Sequence, residues 1–407
     1  MKITKIRAKN YKNFEDIEVD IKPINILIGK NSAGKSSLLK LFALIIESMG
    51  TENNNHLNFT PLGVDVGMSF SDLVYEYNDA KILTLGFEFE EENDSFNYQV
   101  ALIYKRESRD IRIKSFIFQG YEFESDLDSG LFSRCGSFAK KIEIKFLGII
   151  PNVFKIEDIE TKAKLLPLQS LISYSKDKYL SYIGPIRTMM KPLYSFKPST
   201  NESVGYDGRH SPYIFYNNWQ DHVYRDLINR FAFTSLNKTE FLCEEFKNLY
   251  SGHFFQVLLS HNDKSSNIVN NGFGYTQVFP LIVEHITRQY HSMNGIEIIE
   301  QPELHLHPGM SGALIDLYFD TCMNGHSIVI LETHSKNLIL RLRRRIAENR
   351  HLKAHLKTQI LYVNKQETSK KTSLDRIHID NEGYCLNWPE GVFEEALDEI
   401  YAIEEAN

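Results

Sequence analysis

The sequence has few cysteines, no apolar N-terminal segment and no long uncharged apolar run. Its cysteines lie far apart and form no CxxC pair, which argues against a structural zinc site and against a disulfide framework. They are Cys135, Cys243, Cys322 and Cys385. Charges run through the first residues, MKITKIRAKNYKNFED, where a signal peptide has an apolar core. No stretch approaches the roughly 18 apolar residues of a membrane helix, so we expect a cytoplasmic protein without a membrane partner.

The sequence also lacks an excess of positive charge. Lys and Arg number 46 against 53 Asp and Glu, which gives a net charge of −7. No overall positive field therefore attracts nucleic acid or an anionic membrane. Any contact with DNA has to be local.

Hydrophobic patterns divide the 407 residues into segments. Short strands precede residue 29, and a helical pattern follows Lys35. Period-two alternation returns in KILTLGFEFEEE, NYQVALIYKR and DIRIKSFIFQG, between about residues 80 and 120. Helix-like patterns dominate from about 165 to 260, and α/β alternation resumes after Gly274. The patterns predict an α/β unit with the middle of the chain inserted into it.

A phosphate-binding loop follows the third strand. Its sequence GKNSAGKS matches G-x-x-x-x-G-K-[ST] between an apolar strand and a helix. Gly29 and Gly34 let the backbone amides turn inward, Lys35 supplies a charge for the β and γ phosphates, and Ser36 can ligate Mg²⁺. The predicted nucleotide-binding residues are Gly29, Lys30, Asn31, Ser32, Ala33, Gly34, Lys35, Ser36 and Ser37.

A second apolar strand, IEIIEQPE, ends in carboxylates. A P-loop ATPase needs an acidic strand end beside Mg²⁺, and Glu300 fits this role together with Ser36. A third apolar strand ends in LETHS, which contains His334. By spacing alone, His334 is either a site residue or a core histidine at the end of a strand.

At these residues the chain resembles the ATPase heads of the ABC superfamily found in SMC, RecF and OLD-type proteins. The resemblance rests on NYKNFEDIEVDI leading to GKNSAGKSS, on IIEQPELHLHP and on ETHS. It implies an ABC-type P-loop ATPase head that uses ATP and Mg²⁺, with an antiparallel β subdomain and an inserted helical lobe. The head would comprise residues 1–80 and 266–407, the β-rich subdomain 81–165 and the helical insertion 166–265.

The resemblance assigns catalytic roles near the acidic strand. These families usually place a second acid before the proline to polarise the attacking water, and here that position is Gln301. An amide can orient a water but cannot take its proton, and a positioned base is worth roughly 10² to 10⁴ in rate. We therefore expect slow hydrolysis. Glu303 is either a substitute base or a cap of the helix that follows, and the resemblance implies that His334 senses the γ-phosphate.

Heads of this kind work as ATP-bound pairs, each closed by a Gly-rich signature from its partner. The candidate segment NNGFGYTQ departs from the usual Leu-Ser-Gly-Gly-Gln, and Asn271 or Thr276 would replace the serine. Its glycines permit close approach to phosphate at a helix start. The signature-like residues acting in trans are Asn271, Gly272, Gly274, Thr276 and Gln277.

The C-terminal part resembles a bacterial branch of AAA-type ATPases associated with phage defence. These end in a WPxGxF-type motif, here Trp388 to Phe393, with Val392 in place of the first Phe. The resemblance implies a separate effector such as a nuclease or toxin, because too few residues follow the histidine strand to form a nuclease domain. Two alternatives stay open: a RecF-like DNA-repair or DNA-loading ATPase, and a scaffold that holds ATP without hydrolysing it.

Two further features suggest ligands less specifically. His305 and His307 are two residues apart on a turn, which lacks the i, i+4 face of a helical zinc site. The segment 341–357 is strongly basic and could contact DNA phosphates. A solvated helix face, or a partner for the acidic tail between Glu390 and Glu405, is the favoured interpretation of that segment in a net-acidic protein.

Overall fold

The computed structural model describes residues 2–51, 56–92, 94–135, 141–172, 179–196, 202–248, 252–262, 264–325, 327–365, 371–389 and 392–393. The strands are β1 Lys2–Tyr11, β2 Phe14–Asp20, β3 Ile24–Ile28, β4 Leu83–Glu91, β5 Asp94–Lys105, β6 Asp110–Phe118, β7 Tyr121–Ser125, β8 Phe132–Arg134, β9 Lys141–Ile142, β10 Phe146–Leu147, β11 Ile150–Pro151, β12 Tyr179–Ile183, β13 Tyr194–Ser195, β14 Glu240–Asn248, β15 Gly252–His261, β16 Lys264–Asn267, β17 Gly295–Glu300, β18 Ser327–Glu332, β19 Thr358–Lys365 and β20 Thr372–Ile377.

The α-helices are α1 Lys35–Glu47, α2 Phe70–Leu73, α3 Ile159–Leu165, α4 Ser211–Asn218, α5 His222–Ser235, α6 Phe273–Tyr290, α7 Pro308–Ser311, α8 Leu314–Met323 and α9 Lys336–Glu348. The chain forms two compact units. The first comprises residues 1–22, 30–179 and 363–374, and the second comprises 23–29, 180–362 and 375–407. Among the helices described, none has the length and apolar character needed to cross a membrane.

The first unit contains an eight-stranded antiparallel sheet with the order β2-β1-β4-β5-β6-β7-β8-β9. Strands β4, β5 and β6 confirm the three segments predicted from period-two alternation. Their inward side chains are largely aromatic, and Phe87, Tyr98 and Phe116 are buried with their rings 5.3 to 6.2 Å from the next ring along. This alternation buries one face of the sheet.

A six-stranded sheet has the order β12-β17-β18-β3-β19-β20, and its strands β17, β18 and β3 lie wholly in the second unit. Strands β17, β18, β3 and β19 are parallel, with Glu300 opposite Glu332 and Glu332 opposite Leu27. All five residues of β3 and all six of β17 are buried, which confirms the buried strands predicted from these apolar runs. The carboxyl ends of β17, β18 and β3 therefore share one edge of the sheet, where α/β proteins bind ligands.

The middle of the chain contains strands as well as helices. Helices α4 and α5 agree with the helix-like pattern, but β14 and β15 form a hairpin where helices were expected. The burial of β15 alternates from residue to residue, as in a strand with one buried face. The run FFQVLL is apolar at both helical and strand spacing, so periodicity did not separate the two. The boundaries proposed for the segments stay a prediction.

Candidate functional site

The phosphate-binding loop has the backbone that its glycines predicted. Gly29, Ser32 and Gly34 have φ angles of 149°, 61° and 112°, in a region that favours glycine. Helix α1 begins directly after Gly34, and because Gly34 has no side chain, no capping group competes with an anion at its first turn. Lys35 is buried, and its Nζ donates a hydrogen bond to the Lys30 carbonyl 2.9 Å away. The lysine thus bends back over its own loop.

Glu300 ends β17 at the carboxyl edge of the second unit's sheet. Its carboxylate is buried, and the Tyr182 hydroxyl on the neighbouring strand β12 donates to Glu300 Oε1 at 2.7 Å. Burial and the nearby carboxylate raise the pKa of Tyr182 well above its usual range. The tyrosine therefore stays protonated and serves as a hydrogen-bond donor to Glu300.

Arg187 connects three backbone carbonyls at the same place. Its guanidinium donates to the carbonyls of Glu300 at 3.0 Å and Gln301 at 3.2 Å, and to that of Gln277 on α6 at 3.3 Å. Burial lowers the pKa of Arg187 to about 10, which still leaves it charged at neutral pH. This buried cation joins the end of β17 to the first turns of α6.

Gln301 and Glu303 occupy the turn after β17. Gln301 has a φ of 43°, so the chain leaves the sheet through a residue with left-handed backbone. Its backbone N–H donates to the Glu332 carbonyl at 2.8 Å. Such backbone is uncommon for residues other than glycine and occurs often at functional sites. The turn is thereby fixed against the end of β18.

Glu303 and His334 lie together. The His334 backbone amide donates to Glu303 Oε1 at 2.7 Å. His334 as a whole is exposed. Burial is the main cause that raises the pKa of Glu303, partly opposed by this hydrogen bond. Helix α7 is instead capped by His307, whose Nδ1 accepts from the Gly309 amide at 3.1 Å. In this structure Glu303 does not cap the helix that follows it, which was one of its two predicted roles.

The signature-like segment forms the start of α6. Gly272, with a φ of 90°, is its N-cap, and Gly274 approaches the next turn so closely that a Cβ there would lie 3.0 Å from the His305 carbonyl. Two polar side chains of the segment bond locally, and a third, that of Gln277, donates to the Arg187 carbonyl at 3.5 Å. Asn271 donates to Ser266 Oγ at 2.7 Å, Thr276 donates to the Phe273 carbonyl at 2.7 Å, and the Gln277 side chain is buried. Its role in trans stays a prediction.

The histidine pair has structural partners. His305 packs its ring edge-on against Phe273 at 4.7 Å, and His307 caps α7. In the part of the chain that the structure describes, no group of three His, Cys, Asp or Glu residues could hold a metal ion.

The arginines of α9 are bonded within the protein. Arg341 pairs with Asp316, Arg344 with Glu348, and Arg345 with Asp320, while Arg343 donates to the Gly383 carbonyl at 2.6 Å. The acidic residues from Glu394 onward, and Glu390, lie outside the described residues. These contacts favour the interpretation of α9 as a solvated, ion-paired face.

Sequence reasoning assigned no role to Tyr182 and Arg187, although both belong to the segment SYIGPIR. An arginine two residues after the Gly-Pro pair was the available signal. It could not be interpreted without the sheet order that puts β12 beside β17.

Residues 1–183 and 212–339 match the family described as AAA ATPase domain, and these stretches together cover more than half of the chain. The chain belongs to this AAA ATPase family. It is accordingly an ATP-binding ATPase. Residues 354–403 also match a family of proteins of unknown function (DUF3696). No curated protein matches the sequence.

The fold of the chain is similar to that of a solved SMC head. An SMC head bound to the C-terminal winged-helix domain of ScpA matches with a TM-score of 0.51 at 11% identity, over 93% of this chain and 98% of that one. The SMC head domain from Thermotoga maritima matches with a TM-score of 0.47 at 10% identity, over 93% and 100%. The first match and the mixed α/β architecture show the predicted ABC-type P-loop ATPase fold.

Proposed function

We propose that this ATPase binds ATP on the loop from Gly29 to Ser37, with Ser36 and Glu300 on the Mg²⁺ side. Strand β3 leads directly into the loop, and Glu300 ends β17 at the same edge of the sheet. The proposal is carried by the parallel register that aligns the carboxyl ends of β17, β18 and β3 at one edge of the sheet. Bound Mg²⁺ would neutralise charge that develops on the β and γ phosphates.

Hydrolysis is proposed to be slow, with Gln301 orienting the attacking water and Glu303 taking its proton. A base near neutral pH works best when its pKa is raised toward the working pH, and burial does this for Glu303. The amide of Gln301 cannot accept the proton. His334, joined to Glu303 through its backbone, is the proposed γ-phosphate sensor.

The Gln301→Glu variant tests why hydrolysis is slow. It places a carboxylate where related families usually have one, so we expect the steady-state rate of phosphate release to rise at least about tenfold. ATP affinity should change little, because the backbone of the turn is held by Glu332 and Arg187. An unchanged rate would show that Gln301 does not limit hydrolysis and would favour an ATP-holding scaffold.

Two copies are proposed to close on ATP, with the segment from Asn271 to Gln277 facing the partner's nucleotide. The dimer would act as the switch subunit of an anti-phage defence system with a separate nuclease or toxin. The branch assignment rests on the motif that contains Trp388 and Phe393; the Trp388 Nε1 donates to the Val392 carbonyl at 3.0 Å.

Gene neighbourhood distinguishes the defence role from the RecF-like alternative. An adjacent nuclease or toxin gene supports defence, and adjacent replication genes support DNA repair or loading. The ion-paired arginines of α9 give the DNA-binding alternative no specific support.

A further inference from the structure

The segment from β12 to Arg187 makes side-chain contacts with the Mg²⁺-side strand that the proposed ATP chemistry has not used. Tyr182 and Arg187 lie on either side of the turn at Gly184 and Pro185. Both are buried, at 2% and 3% exposure. One contacts the carboxylate of Glu300, and the other contacts its carbonyl. The same residue is therefore fixed through its side chain and through its backbone.

The turn between them is built with little freedom. A Cβ on Gly184 would lie 2.4 Å from the Tyr206 ring, and the Gly184 amide donates to the Tyr206 carbonyl at 2.8 Å. The Tyr206 ring in turn packs on the Tyr182 ring at 5.8 Å. Pro185 restricts the next backbone angle. The geometry of this turn determines where the hydroxyl and the guanidinium lie.

Burying the charged side chain of Arg187 costs free energy, which simple space-filling would not require. Within the described part of the chain, its recorded hydrogen bonds are to backbone oxygens. A buried charge is costly unless it is hydrogen-bonded, and an apolar side chain of similar size would pack there more cheaply. A planar guanidinium can, however, reach three carbonyls on two elements at once, which a lysine ammonium on a flexible stem does less well.

We propose that Tyr182 and Arg187 are positioning residues for hydrolysis: Tyr182 orients the Glu300 carboxylate toward Mg²⁺, and Arg187 holds Glu300 and Gln301 against the start of α6. This inference rests on the proposed role of Glu300. The tyrosine donates to Glu300 Oε1 at 2.7 Å and so restricts the rotation of the carboxylate. Because Arg187 also binds Gln277, a shift of the signature-like helix would move the residues that align the attacking water.

The Tyr182→Phe variant tests the first half of the proposal. It removes only the hydroxyl, and a hydrogen bond to a charged group is worth about tenfold in an equilibrium. We expect the Mg²⁺ concentration for half-maximal hydrolysis to rise about tenfold, with the KM for ATP at saturating Mg²⁺ unchanged. The Mg²⁺ concentration that half-saturates ATP binding in calorimetry, measured without turnover, should rise by a similar factor. The matched control is Tyr224→Phe, which removes an equally buried hydroxyl that bonds to Thr287 at 3.2 Å. The control should lose similar thermal stability but keep the wild-type Mg²⁺ requirement.

The Arg187→Lys variant tests the second half. It keeps the charge but cannot hold three carbonyls, so kcat should fall about tenfold or more while KM for ATP stays near the wild-type value. A wild-type Mg²⁺ requirement in Tyr182→Phe together with a wild-type kcat in Arg187→Lys would overturn the proposal. If Arg187→Lys does not fold, the Tyr182→Phe titration alone decides.

The Lys35→Ala variant distinguishes a wrong positioning role from a wrong ATP site. Loss of ATP binding in Lys35→Ala, with a wild-type Mg²⁺ requirement in Tyr182→Phe and a wild-type kcat in Arg187→Lys, would refute only the positioning roles. Unchanged ATP binding in Lys35→Ala would refute the ATP site itself.

Discussion

The two carboxylate oxygens of Glu303 have different surroundings. Its Oε1 accepts from the His334 amide, while its Oε2 is buried and has no hydrogen-bond partner among the described residues. Burial disfavours the charged form and raises the pKa of Glu303. The raised pKa would make Glu303 a better base. It also means that the ionised carboxylate destabilises the folded state.

Replacing Glu303 with Gln should therefore separate activity from stability. The amide keeps an acceptor for His334 but cannot take a proton, so we expect kcat to fall roughly 10²- to 10⁴-fold. Since a raised folded-state pKa means that ionisation disfavours the folded state, the melting temperature at neutral pH should be unchanged or higher. A large loss of stability with unchanged kcat would contradict the assignment.

The pH dependence of hydrolysis provides a second test of Glu303. A base must be deprotonated, so the rate should rise with pH through the pKa of Glu303, with a midpoint above the 4.5 that is usual for a glutamate. The Glu303→Gln variant should lose this limb from its residual rate. If the variant kept the same midpoint, another group would be the base.

At the scale of elements, α6 and β17 are joined by a buried ionic cluster. Glu297 Oε1 on β17 lies 2.8 Å from His285 Nδ1 and 3.5 Å from Arg288 Nε. Both partners belong to α6. The His285 Nε2 lies 2.9 Å from Thr321 Oγ1 on α8. Burial opposes ionisation of Glu297, but the nearby His285 and Arg288 outweigh it and lower its pKa. The cluster links the signature-like helix to the strand that carries Glu300.

Removing the central carboxylate should be strongly destabilising. Breaking a buried ion pair costs about 3 to 5 kcal/mol, so Glu297→Ala should lower the free energy of unfolding by about that amount in urea titrations. Because the pKa of Glu297 is lowered, its contribution is present at neutral pH and is lost as pH falls through the folded-state value. The wild-type and variant stabilities should then converge in acid.

A surface pair provides the control for this measurement. Glu348→Ala removes an exposed partner of Arg344, and such pairs are worth about 0 to 1 kcal/mol. Equal effects of Glu297→Ala and Glu348→Ala would mean that the buried cluster does not stabilise the junction of α6 and β17.

Local signals predicted the parts of the fold that depend on neighbouring residues. The run INILI followed by glycines predicted a buried strand, a loop and a helix, and β3 and α1 confirm the strand and helix. Contacts between distant residues could not be predicted in this way. Tyr182 and Glu300 are 118 positions apart, and only the sheet order brings them together.

The role of Glu303 shows the same limit. Its spacing from the next helix left a cap and a base equally open, because both predictions used only nearby residues. The parallel pairing of β17 with β18 brings the His334 amide to the Glu303 carboxylate. His307 supplies the cap two residues before Gly309.

At the scale of the whole molecule, the proposed switch requires two copies to associate with ATP. Glu303→Gln should accumulate the ATP-bound state, since nucleotide is held but not cleaved. We expect sedimentation velocity at saturating Mg²⁺ and ATP to show a dimer, without any partner protein. Lys35→Ala should remain a monomer under the same conditions. Monomers alone in the Glu303→Gln sample would contradict ATP-driven pairing.

The loop from Gly29 to Ser37 is proposed to bind the triphosphate of ATP through its amides and Lys35. Titration calorimetry with Mg²⁺ and ATP tests this most directly, with circular dichroism to show that each sample is folded. We expect saturable binding to the wild-type chain and at least about a tenfold weaker affinity for Lys35→Ala, because the substitution removes the charge that would contact phosphate. Equal affinities of the folded wild-type and Lys35→Ala proteins, or no heat from either, would contradict it.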